Sequence, residues 1–371
     1  MIKTKHENKK TILLTGGGTA GHILPNLALL PYLETSFNRI YYIGSTKESE
    51  RKIVEDAGIQ FFQIKSVKLY RGLGVKDIMN NLKIPFGFLK SKRQAAKLLA
   101  ELTPDIVFSK GGFVALPVVR AAKSRRIPVI VHESDASLGL ANRLSVDCCI
   151  KICTSFDLGK NNKKFINTGS LIRSQIYKGD REIVINRHHL WSAVNFIGTV
   201  PQRLNLLVLG GSLGAAKINS VIGSAIWELV KKYTVIHICG RDKTSDARHD
   251  QYIQIEYVED IENYFAWADI VISRAGSNTM SELMVLGKST LFIPLSTGRG
   301  DQLDNIAQIQ RHNSGGVLLE KDLDKNMLLK KLDEVWADRD MYTENSKSVI
   351  KDGTKHVYDI ICNTLGIQSV N

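Results

Sequence analysis

Two strand–glycine–helix openings, set far apart along the chain, constrain what it can fold into. The first is Thr15-Gly16-Gly17-Gly18-Thr19-Ala20-Gly21-His22, between the apolar run 11–14 and a helix-like stretch 23–33. The second is Leu209-Gly210-Gly211-Ser212-Leu213-Gly214-Ala215, after the apolar run 204–209 and before another helix-like stretch. In each, a strand enters, glycines permit a tight turn, and a helix N-terminus presents its N–H groups. Such a turn suits an anion or a polar substrate. Two of them predict two doubly wound domains facing one cleft.

The rest of the pattern agrees. Strands are predicted at 12–14, 40–43, 60–64, 105–108, 129–131, 150–154 and 166–168. The second half repeats them at 206–209, 234–239, 253–258, 270–273 and 289–293. Helix-like segments alternate with these runs, which predicts parallel sheets with right-handed crossovers. Residues 179–202 show no clear period and read as a connection or loop. The tail from residue 341 reads as helical.

At 371 residues the chain can build two cores. No apolar stretch approaches the roughly 20 residues of a spanning helix. The basic start is followed by an apolar run too short for a signal peptide, so a cytoplasmic location is expected. The five cysteines form no C-x-x-C pair and read as buried hydrophobes. The net charge of +13 suits an anionic membrane or a phosphorylated substrate. Nucleic acid is not an expected partner, because no binding motif or interleaved aromatics accompany the charge. Residues 69–100 combine apolar Leu73, Val75, Ile78, Leu82 and Phe86 with basic Lys83 and Lys90. On the residues alone an ordinary amphipathic helix packing its apolar stripe inward is the favoured reading, and an interfacial face the alternative.

Several polar residues fall where a doubly wound fold places ligands, just past strand C-termini. His22 follows the first glycine turn and is placed to take a proton, or is a surface residue of a first helical turn. A positive helix N-terminus disfavours its imidazolium. His132-Glu133-Ser134-Asp135 follows another strand, with Asp135 either a site residue or the cap of a helix near residue 138. Glu282 either closes a capping box with Thr279 or accepts hydrogen bonds from a ribose. Asp301-Gln302 and Asp304-Asn305 offer the donors and acceptors that sugar hydroxyls need. The D-x-D spacings at 322–324 and 338–340 lie at helix ends, so no metal site is expected. No Walker lysine follows either glycine turn, and no acid follows the second strand. A dinucleotide oxidoreductase is therefore the weaker alternative, and a nucleotide-sugar binding or epimerase-like protein is another.

Taken in order, Gly16–His22, Ser109-Lys110-Gly111-Gly112, His132–Asp135 with Gly139-Leu140-Ala141-Asn142, Gly210–Gly214, Ser273-Arg274-Ala275-Gly276-Ser277 and Asp301-Gln302 resemble the MurG family of peptidoglycan N-acetylglucosaminyltransferases over nearly the whole chain. The resemblance implies a GT-B fold: an α/β protein of two Rossmann-like, doubly wound parallel-sheet domains with an interdomain cleft. An N-terminal acceptor- and membrane-binding domain over 1–168, a donor domain over 169–345 and a helical tail over 346–371 packing back across both are the expected divisions. It implies inverting, metal-independent transfer of N-acetylglucosamine from UDP-N-acetylglucosamine to the C4 hydroxyl of lipid I, with no cofactor. A related GT-B enzyme with another lipid acceptor, such as diacylglycerol, is the alternative.

Carried over by position, Thr19, Gly21, Arg173, Gly211, Ser212, Gly214, Val258, Ser277, Asn278, Thr279, Glu282, Asp301 and Gln302 would meet the donor. Gly18, Thr19, His22 and Asn142 would meet the acceptor, with His22 or Asp135 as the base. The chain departs from the usual pattern at Ala20, Asp135 and Asp301, where glycine, asparagine and glutamine are common; an aspartate at 135 makes it a competitor to His22. A polyprenyl acceptor also implies that residues 69–89 dock on the anionic inner surface of the membrane, with the protein peripheral on its cytoplasmic face.

Overall fold

Short apolar runs without helical period become parallel strands buried on both faces. In the computed structural model, residues 10–66, 84–160, 162–190, 203–210, 215–296 and 300–369 are described. The first sheet contains β1 (Lys10–Thr15), β2 (Phe37–Gly44), β3 (Gln60–Gln63), β4 (Ile106–Ser109), β5 (Val129–Glu133), β6 (Lys151–Thr154) and β7 (Phe165–Asn167). Its order is β3-β2-β1-β4-β5-β6-β7, parallel throughout. The second contains β8 (Leu204–Leu209), β9 (Tyr233–Ile238), β10 (Tyr252–Ile255), β11 (Ile270–Ser273), β12 (Ser289–Phe292) and β13 (Gly316–Val317). Its order is β10-β9-β8-β11-β12-β13, again parallel. Both are doubly wound, with the order reversing between β1 and β4 and between β8 and β11. Ligands of such sheets bind beyond the strand C-termini at these reversals. The first glycine turn leaves β1 and sits there; of the second, Gly210 follows β8 and residues 211–214 lie outside the described residues.

Each strand divides its side chains between two cores. Ile12 and Leu14 join Leu33, Tyr42 and Phe108 on one face of the first sheet, and Leu13 joins Val107, Val118 and Leu99 on the other. In the second, Leu206 and Val208 pack with Ile222, Leu229 and Leu332.

The chain forms two compact units. One runs to Arg173 and resumes at Asp352; the other runs from Ser174 to Lys351. Residues 169–173 stay with the first unit rather than leaving it after residue 168. The Gly169 carbonyl accepts from His132 Nε2 at 3.0 Å, and the Ile172 N–H donates to Thr354 Oγ1 at 2.9 Å. The tail also divides later than residue 346. Helix Arg339–Val349 belongs to the second unit, and helix Thr354–Leu365 buries Val357, Tyr358, Ile361 and Cys362 in the core of the first.

Three local expectations need correction. The single helix over 23–33 is two, Ala20–Leu27 and Leu30–Ser36, because Pro31 has no N–H to continue the ladder. Residues 179–190 contain helix Arg181–Arg187, whose Asp180 side chain accepts from the Glu182 N–H at 2.9 Å. Two buried residues, Val184 and Ile185, are too few to reveal a period. β13 spans only two residues, too short to read from sequence. All five cysteines are buried free thiols.

Candidate active site

The first glycine turn is packed from every side. A Cβ on Gly16 would lie 2.8 Å from the His22 carbonyl oxygen, and one on Gly17 would lie 2.7 Å from Glu50 Oε2. Gly18 has a φ of +99°, and a Cβ on it would lie 2.7 Å from Phe113 Cε1. A Cβ on Gly112, in the turn after β4, would sit 2.2 Å from the Gly17 carbonyl oxygen, so the turns beyond β1 and β4 touch through backbone. Glu50, 3% exposed, accepts from the Gly18 N–H at 2.7 Å through Oε1 and from the Ser45 N–H at 3.0 Å through Oε2. The Gly18 N–H of the turn is thus held by the protein's own carboxylate. Lys47 Nζ donates to the Gly18 carbonyl at 2.7 Å.

This braced turn launches helix Ala20–Leu27, whose third residue is His22, half-buried. Its Nδ1 lies 3.0 Å from Thr19 Oγ1. With the proton on Nδ1 and Thr19 accepting, the basic lone pair is on Nε2.

The loops after β4 and β5 form a buried ionic cluster. Lys110, 4% exposed, donates through Nζ to His132 Nδ1 at 2.9 Å and to Ser134 Oγ. An ammonium only donates, so His132 accepts on Nδ1 and gives its Nε2–H to Gly169. Burial and the Lys110 charge hold the imidazole well below its usual range. Burial pulls Lys110 down to about 8 against the opposing charges of Glu133 and Asp135. Burial raises the Glu133 carboxyl, with Asp135 adding to the shift. Glu133 accepts from the Asp135 N–H (3.1 Å), the Gly139 N–H (2.8 Å) and Asn142 Nδ2 (2.9 Å). Asn142 is 4% exposed and packs against Gly111; among the described residues its Oδ1 has no hydrogen-bond partner. Asp135 does not cap the next helix, which is Leu140–Arg143 with Gly139 at its cap. Its backbone is tied to Glu133 instead.

In the second unit, helix Ser277–Val285 opens at Gly276 with no side-chain cap, and among the described residues no atom beyond its chain neighbours lies within 4 Å of where the Cβ of Gly276 would stand. Ser277, Asn278 and Thr279 form its half-buried first turn. Thr279 is the third helical residue and Glu282 the sixth, so the capping-box reading fails. Glu282 lies in the second turn, not the first, and is 8% exposed. Asp301 starts helix Asp301–His312 after Gly300, which is left-handed at φ +82°. Asp301 and Gln302 are both half-buried. Gln302 Oε1 accepts from the Leu295 N–H at 2.8 Å, which aims its amide NH2 elsewhere as a donor. Asn305, fully buried, donates through Nδ2 to the Ala275 carbonyl at 3.1 Å and ties this helix to the turn after β11. Val258 lies beyond β10, which ends at Ile255 and not at residue 258. Arg173, half-buried, is the last residue of the first unit's main segment. Gly211, Ser212 and Gly214 lie outside the described residues.

Of the interfacial stretch, Leu73, Val75, Ile78, Leu82 and Lys83 also lie outside them. Helix Ile84–Leu102 buries Ser91, Ala95 and Leu99 on one stripe and leaves Phe86 81% exposed beside exposed Leu89 and Lys90. No described helix is long and apolar enough to cross a membrane.

Glu50 stands out in no local pattern, and Lys110 reads only as part of the Ser109–Gly112 motif, with no role of its own. Glu50 reads as a charged position of a surface helix, and its partners lie five and 32 residues away.

The two sheets match family models in turn. Residues 12–154 match the glycosyltransferase family 28 N-terminal domain, and residues 205–361 match its C-terminal domain. A crystal structure of Acinetobacter baumannii MurG superposes with a TM-score of 0.72 at 24% identity, over 95% of this chain and 99% of that one. The class is therefore a glycosyltransferase of the GT-B fold. A curated Clostridium botulinum (strain Langeland) relative is 41% identical over 361 residues, 95% of this chain and 98% of its own. One from Lachnoclostridium phytofermentans is 41% identical over 347 residues, covering 91% and 94%. Both are named UDP-N-acetylglucosamine–N-acetylmuramyl-(pentapeptide) pyrophosphoryl-undecaprenol N-acetylglucosamine transferase. The chain belongs to this family of family 28 transferases.

Proposed function

We propose that this chain transfers N-acetylglucosamine from UDP-N-acetylglucosamine to the muramyl sugar of lipid I, giving lipid II and UDP. The observation that carries the reading is 41% identity, across 95% of the chain, to transferases so named. The geometry supports a division of labour. In the second unit, buried Glu282 accepts hydrogen bonds from ribose hydroxyls, and the uncapped turn Ser277-Asn278-Thr279 meets phosphate or ribose. Asp301 and the amide NH2 of Gln302 take sugar hydroxyls. Backbone near Val258 reads the uracil, and Arg173 with Gly211, Ser212 and Gly214 meets the diphosphate, as Thr19 and Gly21 do from the first unit.

The first unit holds the acceptor, with Gly18, Thr19 and Asn142 near its pyrophosphate or sugar. His22 Nε2 takes the proton of the C4 hydroxyl, whose oxygen bonds to the anomeric carbon as the bond to UDP breaks. Asp135 is the competing base. Inversion follows from this single displacement, and no metal is required. Exposed Phe86 and Lys90, with Leu73, Val75, Ile78, Leu82 and Lys83, meet the anionic cytoplasmic face of the membrane.

The test is UDP release from UDP-N-acetylglucosamine by the detergent-solubilised protein in EDTA, with and without a lipid I analogue. Release that needs the analogue and survives EDTA supports the reading. Transfer only to another lipid, such as diacylglycerol, reassigns the acceptor.

A further inference from the structure

Arg274 stands in the turn after β11 and takes no part in the reading above. Its guanidinium reaches across the sheet end. Nη1 donates to the Ile293 carbonyl at 3.2 Å and lies 3.4 Å from that of Pro294, and Nη2 donates to Glu320 Oε1 at 2.5 Å. The side chains of Arg274 and Glu320 are only 12% and 16% exposed. Lys217 adds an Nζ contact to the Glu320 carbonyl. β12 ends at Phe292; the Ile293 N–H still donates to the Ser273 carbonyl at 2.8 Å, and the Ile293 and Pro294 carbonyls lie past the strand end. A forked, planar cation supplies the donors that their carbonyls lack. The next residue, Leu295, gives its N–H to Gln302. The guanidinium, together with the bond from the Ile293 N–H to the Ser273 carbonyl, thus holds the segment on which the Gln302 amide is registered.

We propose that Arg274 is a positioning residue for the sugar half of the donor, acting through residues 293–295 on Gln302. The proposal rests on the reading that the second unit binds UDP-N-acetylglucosamine. Its mark is a selective one: the uridine half hangs on Glu282 and the helix opening at Gly276, and the sugar half on Gln302. Loss of the fork therefore weakens the nucleotide-sugar and spares the nucleotide. Lysine keeps the charge but reaches only one of the three acceptors.

The experiment measures binding of UDP and of UDP-N-acetylglucosamine to the full chain by titration calorimetry, for wild type, Arg274→Lys, Gln302→Ala and the double variant. We expect Arg274→Lys to weaken UDP-N-acetylglucosamine about tenfold, the worth of one or two placed hydrogen bonds, while UDP stays within about twofold. KM for the donor rises in step and kcat holds within about threefold. The double variant is no weaker than Gln302→Ala, because both changes break one chain of contacts. Equal loss for UDP and UDP-N-acetylglucosamine makes Arg274 a general brace and overturns the proposal, as does full additivity with Gln302→Ala or unchanged binding. Wild type that binds neither ligand overturns the donor reading and this proposal with it, a result distinct from a failure confined to the variants. If Arg274→Lys does not fold, Glu320→Gln, which keeps the guanidinium on its carbonyls, carries the same selective shift at smaller size.

Discussion

The turn after β1 and the turn after β11 look alike in sequence, each a short glycine-bearing link from strand to helix, and the fold uses them in opposite ways. Gly16, Gly17 and Gly18 are pressed on by the His22 carbonyl, Glu50 and Phe113, and the Gly18 N–H is held by Glu50. Gly276 has, among the described residues, open space where a Cβ would stand, an ordinary φ of −70°, and a helix above it with no side-chain cap. The first turn is a rigid mount that aims a side chain, His22. The second is a helix end with room at its glycine, where the proposed reading places the donor. Glycine at a strand–helix junction is therefore ambiguous until its surroundings are known, because close packing and ligand approach both exclude a side chain.

This contrast can be broken or sharpened by substitution. The largest effect is expected at the group the rigid turn aims. His22→Ala should lower kcat by about 10²–10⁴, near 3–5 kcal/mol of barrier, with the melting temperature unchanged. A smaller loss with Asp135→Asn now the severe variant would transfer the base to Asp135. Next comes Gly112→Ala, whose Cβ would meet the Gly17 carbonyl oxygen at 2.2 Å on a backbone with φ +86°. It should cost about 3 kcal/mol or more of stability in denaturant unfolding. Glu50→Gln keeps the shape but accepts from only one of the two N–H groups, and should cost about 1–3 kcal/mol. A neutral result there would mean that the turn needs no internal brace.

Lys110 supplies a pH test of the same rigid region. Its folded value of about 8 lies below its ordinary 10.5, so between those values the unfolded chain binds more protons. That group makes stability rise as pH climbs from 8 to 10.5, by at most about 1.4 kcal/mol per pH unit, and Lys110→Met should remove the rise. The smallest effect is expected at the open turn. Gly276→Ala should change stability by less than about 0.5 kcal/mol, since no atom opposes its Cβ and its φ is permitted. Its measurable consequence should be on donor affinity instead.

The alternation of apolar runs made both parallel sheets legible, because strands buried on both faces have no polar side to hide. What stayed hidden depends on distance along the chain. Glu282 and Thr279 fit a capping box by spacing, but the helix starts at Ser277 rather than Met280, and that three-residue shift moves Glu282 from the first turn to the buried second turn. Lys110 meets His132 and Ser134 only after two strands lie side by side, and Arg274 finds Glu320 46 residues on. The residues proposed for the chemistry come from motifs at strand ends. The residues that hold them still do not, since each is defined by a partner on another element.

The return of the chain to the first unit has a consequence for how the protein is made. Helix Thr354–Leu365 carries Val357, Tyr358, Ile361 and Cys362 into a core otherwise built from residues before 174, and Tyr358 shares its hydroxyl with Ser36 at 2.6 Å. Synthesis runs from the N-terminus, so the half of the molecule begun first is the half finished last. On the ribosome the later unit can close while the earlier one still shows an apolar face, and a transcript cut before codon 354 would leave that face permanently open.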